Sequence, residues 1–499
     1  MLRNTNPQHN LRNKSQVGKY VLDSLSFGMY NHPFMVIREY IQNSVDAIDD
    51  YKRALKRKDA QEVCIDITID GSRKSISITD NGTGVIAEKA WQVLHDLGKS
   101  EKDPSTHRGF RGIGRLGGLG YCNKLVFTTK AKNEKTLSKS TWDCNKIRSL
   151  INSSNSHDVS RIINDAVEFY QEEYLGNVKD HFFSVDMIEI NGPRRLLINI
   201  PVLKLYLSQV APVPFRSESF RFADTIDSML RDKVNTYETY LLRVNGEVIY
   251  KPYSDCIGIN DNGFDSISSV RFITLSDEEE VLAHGWIGES GLRGTIWPSS
   301  GVDGLRLRSG NILIGSKETL SELYREKRFN NYMVGEIHIS DNRLIPNSRR
   351  DDFEDGGLKD NFHSCFIRDI GIPYSKLIRD LSRERSLQRK LEDANSLCNR
   401  AQSVIQRGFT SESQKQDLVD KLERLNGDKP DNWSETDLVI IINELKHSSH
   451  YFDIQNNVLP ANIVDPMKFV LETIYREDDN KARAEALIEK ILSNMYSST

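Results

Sequence analysis

Three polar side chains near the N-terminus have spacings that would place them on one face of a helix. Glu39, Asn43 and Asp46 occupy positions i, i+4 and i+7, and a helix of about 3.6 residues per turn stacks such positions in line. Apolar residues repeat at core-helix spacing on another face, at positions 37, 41, 45 and 48. Two carboxylates and an amide thus share one surface, either as part of a reactive site or as the solvated face of an amphipathic helix.

A second polar cluster follows a predicted β-hairpin. Residues 63–69 and 76–78 alternate apolar and polar side chains on either side of a Gly71-Ser72 turn. The second strand leads into Asp80-Asn81-Gly82-Thr83-Gly84, where two glycines after a carboxylate allow the backbone to approach a neighbouring group closely. Alone, this motif could be a simple turn. Behind a helix that carries two carboxylates and an amide, it predicts half of a site.

A glycine-rich stretch occupies residues 98–120 and reads GKSEKDPSTHRGFRGIGRLGGLG. So many glycines among polar residues are typical of a loop that wraps phosphate. Gly112, Gly114 and Gly117 spell GxGxxG, but a dinucleotide-binding fold needs a strand directly before them, and residues 103–108 are loop-like. The Walker motif GxxxxGK[ST] does not occur here either. The stretch therefore predicts a different kind of lid, followed by a strand over residues 124–130.

Together these motifs resemble those of the GHKL ATPases. The patterns E-x-x-x-N-S-x-D-A and D-N-G-x-G, the glycine-rich lid and a following Thr129 occur in the family's order between residues 30 and 145. The superfamily includes HtpG-type chaperones, DNA gyrase ATPase subunits, MutL, MORC proteins and histidine kinases. The helix sequence EYIQNSVDAIDD is most similar to the HtpG type. The resemblance implies an α+β chain that begins with a GHKL (Bergerat) α/β sandwich and binds ATP with Mg²⁺.

The resemblance also implies roles for individual residues. Asn43 would supply the protein oxygen to Mg²⁺, and Glu39 would orient or deprotonate the attacking water. Asp80 would accept from the adenine amino group, Gly84 would pack on the base, and Thr129 would complete the adenine contacts. The implied nucleotide-binding set is Asn43, Asp46, Asp80, Gly82, Gly84, Lys99, Ser100, Gly112, Gly114, Gly117, Gly118 and Thr129. The third glycine of the chaperone lid pattern G-x-x-G-x-G is displaced here, which leaves open which lid amides contact phosphate.

The proline-containing segment Ala211–Phe215 suggests the end of the nucleotide domain, because each proline restrains itself and its predecessor. We therefore predict a GHKL domain over residues 1–214, with a helix over residues 158–174 inserted in it. An α+β transducer domain is predicted over residues 215–372. Strands of this second domain are expected at residues 240–244, 248–250, 270–274 and 305–307.

The segment from Leu344 to Glu354 resembles the loop with which relatives sense the γ-phosphate. Leu344–Asp351 aligns without gaps with the HtpG-type LPLNVSRE, and Pro346–Glu354 with the MORC sequence PTHNKQDFE. Both alignments place the sensing cation at Arg350, with Arg349 as the alternative, and a planar guanidinium suits a phosphoryl group that gains charge. A surface loop with a solvated charge run is the other interpretation.

Residues 373–499 are predicted to be helical, with a coiled coil as one interpretation of their spacing. Apolar residues from Leu387 to Ile405 alternate at spacings of four and three, and Gly408 ends the seam. Leu418 to Leu425 would form a returning helix. The region could serve dimerisation or partner docking, or it could simply pack.

Composition excludes some classes of protein. With 38% hydrophobic and 28% charged residues and a net charge of −4, the chain is an ordinary globular protein without a global basic excess for nucleic acid. Apolar runs stay short of about 18 residues and residues 1–20 are polar, so we expect a cytoplasmic protein without membrane spans. The six cysteines form no CxxC pair, which argues against zinc and a disulfide framework.

Two classes of function remain open. The favoured one is an ATP-hydrolysing, chaperone-like clamp that dimerises through its N-terminal domains and C-terminal helices and acts on a protein client, in a stress response or in defence against foreign genetic elements. A MORC- or MutL-like nucleic-acid clamp is the alternative, with Arg325, Lys327 and Arg328 as the contact patch. A sensor histidine kinase fits less well, because kinases carry this fold at the C-terminus and lack the trailing cation.

Overall fold

The described part of the computed structural model divides into two compact units, residues 1–378 and residues 379–499. It comprises residues 18–26, 32–54, 62–96, 114–153, 158–190, 192–260, 263–347, 349–409, 411–427, 435–449, 470, 473–474 and 480–496.

An eight-stranded sheet forms the first layer of the first unit, in the order β5-β4-β3-β6-β2-β1-β7-β8. The strands are β1 (Cys64–Asp70), β2 (Ser75–Asp80), β3 (Lys124–Lys130), β4 (Thr136–Asp143), β5 (Val167–Glu173), β6 (Phe182–Ile188), β7 (Leu241–Val244) and β8 (Glu247–Val248). The alternation in β1 buries Ile65, Ile67 and Ile69 and leaves Thr68 exposed. Antiparallel pairing sets Ile67 opposite Ile78, so both apolar rows face the same core.

Helices cover the apolar face of this sheet. They are α1 (Lys19–Ser26), α2 (Phe34–Ala54), α3 (Ala87–His95), α4 (Cys144–Asn152), α5 (Val159–Ala166) and α6 (Ile200–Val210), together with 3-10 turns at Gly114–Gly120 and Gly192–Ile198. Their side chains join those of the strands in one apolar core, in which Ile37, Ile41 and Ile48 of α2 are at most 1% exposed. The predicted α/β sandwich of a GHKL-type fold is confirmed.

Two local predictions in this region are wrong. Residues 158–174 do not form one helix: α5 ends at Ala166, and β5 pairs with β4 from Trp142 opposite Val167 onward, because Val167 and Phe169 alternate with polar residues. The strands expected in the second domain at residues 240–244 and 248–250 join the first sheet instead, since β7 lies parallel to β1 and β8 pairs with β7. The boundaries after residues 214 and 372 stay predictions.

The rest of the first unit is built on a two-stranded and a five-stranded sheet. The smaller sheet contains β9 (Cys256–Ile259) and β10 (Gly263–Ser266). The larger contains β11 (Ser269–Asp277), β12 (Glu280–Glu289), β13 (Gly304–Ser309), β14 (Ile312–Leu313) and β15 (Val334–Ile339), in the order β11-β12-β15-β13-β14. Helices α7 (Ala223–Lys233) and α8 (Gly357–Phe366) accompany them, with 3-10 turns at Pro298–Ser300, Ser321–Leu323 and Lys327–Tyr332.

A buried ionic cluster lies in the part of the first unit that follows residue 214, called the second region below. Glu336 of β15 accepts from Lys251 Nζ at 2.9 Å, from Arg308 Nε at 2.6 Å and from the Tyr253 hydroxyl at 3.0 Å, and His338 Nε2 lies 3.1 Å from its second oxygen. Burial alone would raise the pKa of Glu336, but Arg308 and Lys251 hold it well below its usual range. Burial lowers the pKa of Lys251 to about 7 and that of His338 to about 4.

Helices form the second unit, as predicted for the C-terminal region. A π-helical turn at Ile367–Gly371 leads into α9 (Ile372–Arg407), which continues into this unit and is followed by α10 (Glu412–Gly427), α11 (Glu435–His447) and α12 (Lys481–Tyr496). Ala401 of the predicted seam packs with Leu418 and Leu422 of the returning helix and with α11. Gly408 has φ +92° and ends α9 as expected. Among the described helices, none has the length and apolar character needed to cross a membrane.

Candidate active site

The helix α2 carries the first set of predicted site residues and is held by its buried face. Asp46 is 1% exposed, whereas Glu39 and Asn43 are half-buried. Glu39 Oε1 is buried without a hydrogen-bond partner among the described residues. A carboxylate has two acceptor oxygens, so Glu39 can be oriented through one of them and act on a water molecule through the other.

The loop after β2 is fixed to α2 by close backbone contacts. Asp80 is 2% exposed and accepts from the Gly82 amide at 3.0 Å. The Thr83 amide donates to Ala47 O at 3.2 Å, and a Cβ at Gly82 would lie 2.6 Å from the Ala47 carbonyl carbon. Only glycine fits there, so the motif Asp80-Asn81-Gly82 is positioned against the helix that carries Asn43 and Asp46.

Gly84 and Thr129 connect the loop after β2 to strand β3. Gly84 has φ +62°, and a Cβ there would lie 2.1 Å from Lys130 O. The Thr129 hydroxyl accepts from the Val85 amide at 2.9 Å and donates to Phe182 O at 3.0 Å. Thr129 therefore supports the loop directly, and the hydroxyl is committed to the backbone in this structure.

The described end of the lid is anchored on α2 through Tyr40. The Tyr40 hydroxyl donates to Arg115 O at 3.0 Å and accepts from the Gly118 amide at 2.9 Å. A Cβ at Gly118 would lie 2.3 Å from that hydroxyl, and one at Gly114 would lie 2.7 Å from Glu39 Oε2. The two glycines allow the 3-10 turn to approach α2 this closely, next to the candidate base.

Some predicted lid residues cannot be compared with the structure. Lys99, Ser100 and Gly112 lie outside the described residues. Gly117 is buried, and the amide of Gly118 is engaged by Tyr40. Their role in binding phosphate stays a prediction.

The predicted sensor loop contacts the helix of the candidate base. Arg38, next to Glu39 and 2% exposed, donates from its terminal nitrogens to Arg349 O at 2.8 Å and to Arg350 O at 3.4 Å. The Arg350 carbonyl also accepts from the Gly315 amide at 2.7 Å, and Arg350 adopts a left-handed backbone with φ +54°. Residues more than 300 positions apart in sequence therefore meet at one point of α2.

Three contributors were missed from the sequence. Arg38 and Tyr40 flank Glu39, and their roles depend on partners far along the chain that no local spacing reveals. His181 Nδ1 lies 2.5 Å from Gly82 O, and burial lowers the pKa of His181. The position of His181 directly before β6 could have indicated a place at this site, because β6 pairs with both β2 and β3.

The residues fit the substrate and metal that the resemblance implies. Mg²⁺ takes few protein oxygens and completes its shell with phosphate and water, and among the described residues no group of three or more acidic, His or Cys side chains could hold a metal by itself. Asn43 is the residue that would hold the ion, and the Glu39 carboxylate lies on the same helix face. Bound Mg²⁺ would offset the negative charge of the phosphates.

A comparison with protein families agrees with this geometry. Residues 30–173 match the model of the family described as histidine kinase-, DNA gyrase B- and HSP90-like ATPase. The match covers α2, the loop after β2, the lid and strands β1 to β5, and so includes every predicted nucleotide contact. Residues 30–173 therefore carry the fold and motifs of the GHKL-type ATPases, a class whose members bind ATP. A search among curated proteins finds no match to this chain.

Proposed function

We propose that this protein hydrolyses Mg-ATP and works as an ATP-gated dimeric clamp with a chaperone-like role on a protein client. The GHKL domain supports ATP binding and hydrolysis at the level of the family. Gating of hydrolysis by ATP is supported by the hydrogen bonds of Arg38 to the carbonyls of Arg349 and Arg350. It couples the candidate γ-phosphate sensor to the helix of the candidate base.

The chemistry assigned to this site is attack of water on the γ-phosphorus. Glu39 orients the water and accepts its proton, a bond forms from the water oxygen to phosphorus, and the bond to the β–γ bridging oxygen breaks, so that ADP and phosphate leave. The guanidinium of Arg350 offsets the negative charge that develops on the phosphoryl oxygens. Because Arg350 comes from the second region, hydrolysis requires that region to be docked.

A protein partner is favoured over nucleic acid by the surface charge. Lys327 pairs with Glu322 at 2.5 Å and Arg328 with Glu326 at 2.8 Å, so the basic patch considered for nucleic acid is offset by neighbouring carboxylates. The net charge of −4 points the same way. The proposal also includes dimerisation through the N-terminal domains and the C-terminal helices. It further assigns the protein to a stress response or to defence against foreign genetic elements.

Two substitutions on α2 test the chemical assignment. We expect Glu39→Ala to bind Mg-ATP with nearly unchanged affinity but to turn over very slowly, because a base acts in the transition state and contributes little to ground-state binding. Asn43→Ala should instead lose Mg-nucleotide binding. Isothermal titration calorimetry beside a phosphate-release assay separates the two effects. Near wild-type turnover by Glu39→Ala would remove the base from the proposal.

A further inference from the structure

Four buried polar atoms on one flank of α2 lack hydrogen-bond partners within the part of the chain that the structure describes. They are Arg38 Nε, Glu39 Oε1 and both amide atoms of Gln42, Oε1 and Nε2. Gln42 is 0% exposed. A buried amide with neither atom paired destabilises a fold, so its presence in the middle of an otherwise well-packed helix calls for a functional reason.

The four atoms match in pairs by chemistry and by spacing. Arg38 Nε is a donor and Gln42 Oε1 an acceptor, at positions i and i+4 of one helix. Gln42 Nε2 is a donor and Glu39 Oε1 an acceptor, three residues apart. Side chains at these spacings are neighbours on a helix surface, and glutamine with a carboxylate is a favourable pair there. A change of side-chain rotamer would therefore bring each unpaired donor to an unpaired acceptor.

The same row of side chains joins the sensor loop to the base. The terminal nitrogens of Arg38 already bind the carbonyls of Arg349 and Arg350. With the two missing bonds made, a continuous hydrogen-bonded path would run from that loop through Arg38 and Gln42 to Glu39. Such a path would fix the carboxylate rotamer only while the loop holds Arg38 in place.

We propose that Gln42 is a positioning residue whose side-chain amide closes a relay from Arg38 to Glu39 when the sensor loop, which already contacts α2 through Arg38, engages the γ-phosphate of ATP. The proposal rests on the hydrolytic function proposed above and adds the means by which the loop controls the base. Closing the relay would stabilise the oriented carboxylate in the ATP-bound state and leave the ADP-bound state little changed. Gln42 thus acts through Glu39 and need not touch the nucleotide.

The variant Gln42→Met tests the relay, because methionine has a similar shape and no hydrogen-bonding amide. In the full chain we expect kcat to fall about tenfold, as for the loss of one oriented hydrogen bond in the transition state. KM for Mg-ATP and the affinity for ADP should stay within about twofold of wild type. The melting temperature without nucleotide should be equal or higher, since an unpaired buried amide is removed. A lower kcat without a lower melting temperature distinguishes the relay from a structural role.

A second variant and a control sharpen the test. Gln42→Glu keeps an acceptor for Arg38 but offers no donor to Glu39, so its kcat should fall at least as far. Gln414→Met makes the same change at a buried glutamine of α10, 7% exposed, and should leave kcat unchanged. The relay is overturned if Gln42→Met keeps wild-type kcat, or if it loses melting temperature together with activity. A wild-type protein that does not hydrolyse ATP would overturn the proposed function itself, and the relay with it.

Discussion

Asp80 serves two tasks at the end of β2. Its Oδ1 accepts from the Gly82 amide and shapes the loop, and the resemblance assigns the carboxylate to the adenine amino group. A carboxylate can do both because it has two acceptor oxygens and no donor. An amide has only one acceptor oxygen.

Asp80→Asn therefore separates the two tasks. We expect the loop and the melting temperature to be little changed, because the amide oxygen can keep the Gly82 bond. The affinity for ATP should fall roughly tenfold, since the adenine amino group then faces an NH₂ donor. Calorimetric titration with ATP and with GTP is the measurement. Unchanged ATP affinity together with unchanged rejection of GTP would reduce Asp80 to a turn residue.

His338 gives the protein a defined response to acid. The pKa of His338 is about 4 in the folded protein because of burial, against an ordinary value of 6.5. Between those values the unfolded chain binds a proton that the folded chain does not, so stability falls as pH drops from 6.5 to about 4 and levels off below. Lys251, Arg308 and Glu336 face the ring.

The size of this response can be measured against His338→Asn, which keeps a donor for Glu336. We expect the wild type to lose about 3 kcal/mol of unfolding free energy relative to the variant across this window. Denaturant titrations at several pH values give the difference directly. A difference that is flat between pH 6.5 and 4 would show that the His338 ring is protonated in the folded protein.

The separate parts of the site meet on helix α2. Ala47 holds the loop after β2, Tyr40 holds the lid turn, and Arg38 holds the sensor loop. The remaining face packs on the sheet. Loss of any one of these contacts should therefore change the position of the Glu39 side chain.

Tyr40→Phe tests the lid attachment. The variant keeps the ring but removes the hydroxyl that serves Arg115 O and the Gly118 amide, so we expect a loss of about 1–3 kcal/mol of unfolding free energy. Tyr170→Phe on the exposed strand β5 is the matched control and should change stability by less than about 0.5 kcal/mol. Thermal unfolding of both variants is sufficient. Equal stability of the two would mean that the hydroxyl does not hold the lid.

How far the sequence predicts such elements depends on how local their cause is. The polar face of α2, the hairpin β1–β2 and the end of α9 at Gly408 were predicted from periodicity and turn residues alone. The site residues came from motifs in family order. The strand β7 is predicted in the second domain but pairs with β1 in the first sheet, where Leu241 lies opposite Cys64. No local pattern encodes a parallel pairing between residues so far apart in sequence. Arg38 and Gln42 were missed because their significance lies in the partners they have or lack.

The first sheet and the second region depend on each other for their structure. β7 and β8 complete the first sheet with residues from beyond the proline segment. Lys251 of the buried cluster around Glu336 donates to Asn311 in the turn between β13 and β14. A few residues further along the chain, the Gly315 amide donates to the Arg350 carbonyl. Packing of the second region thus places the sensor loop beside α2.

The role of Arg350 in hydrolysis is decided by kcat at saturating Mg-ATP for Arg350→Ala, with Arg349→Ala as the neighbouring control. If Arg350 acts on the γ-phosphate from the second region, its loss should lower kcat on the order of 10³-fold, as for an arginine finger, with ATP binding retained. Arg349→Ala should stay within a few-fold of wild type, and Arg350→Lys should recover only part of the activity, because it keeps the charge but loses the planar fork. Wild-type turnover by Arg350→Ala would contradict the cross-domain cation and the ATP-gated clamp that depends on it.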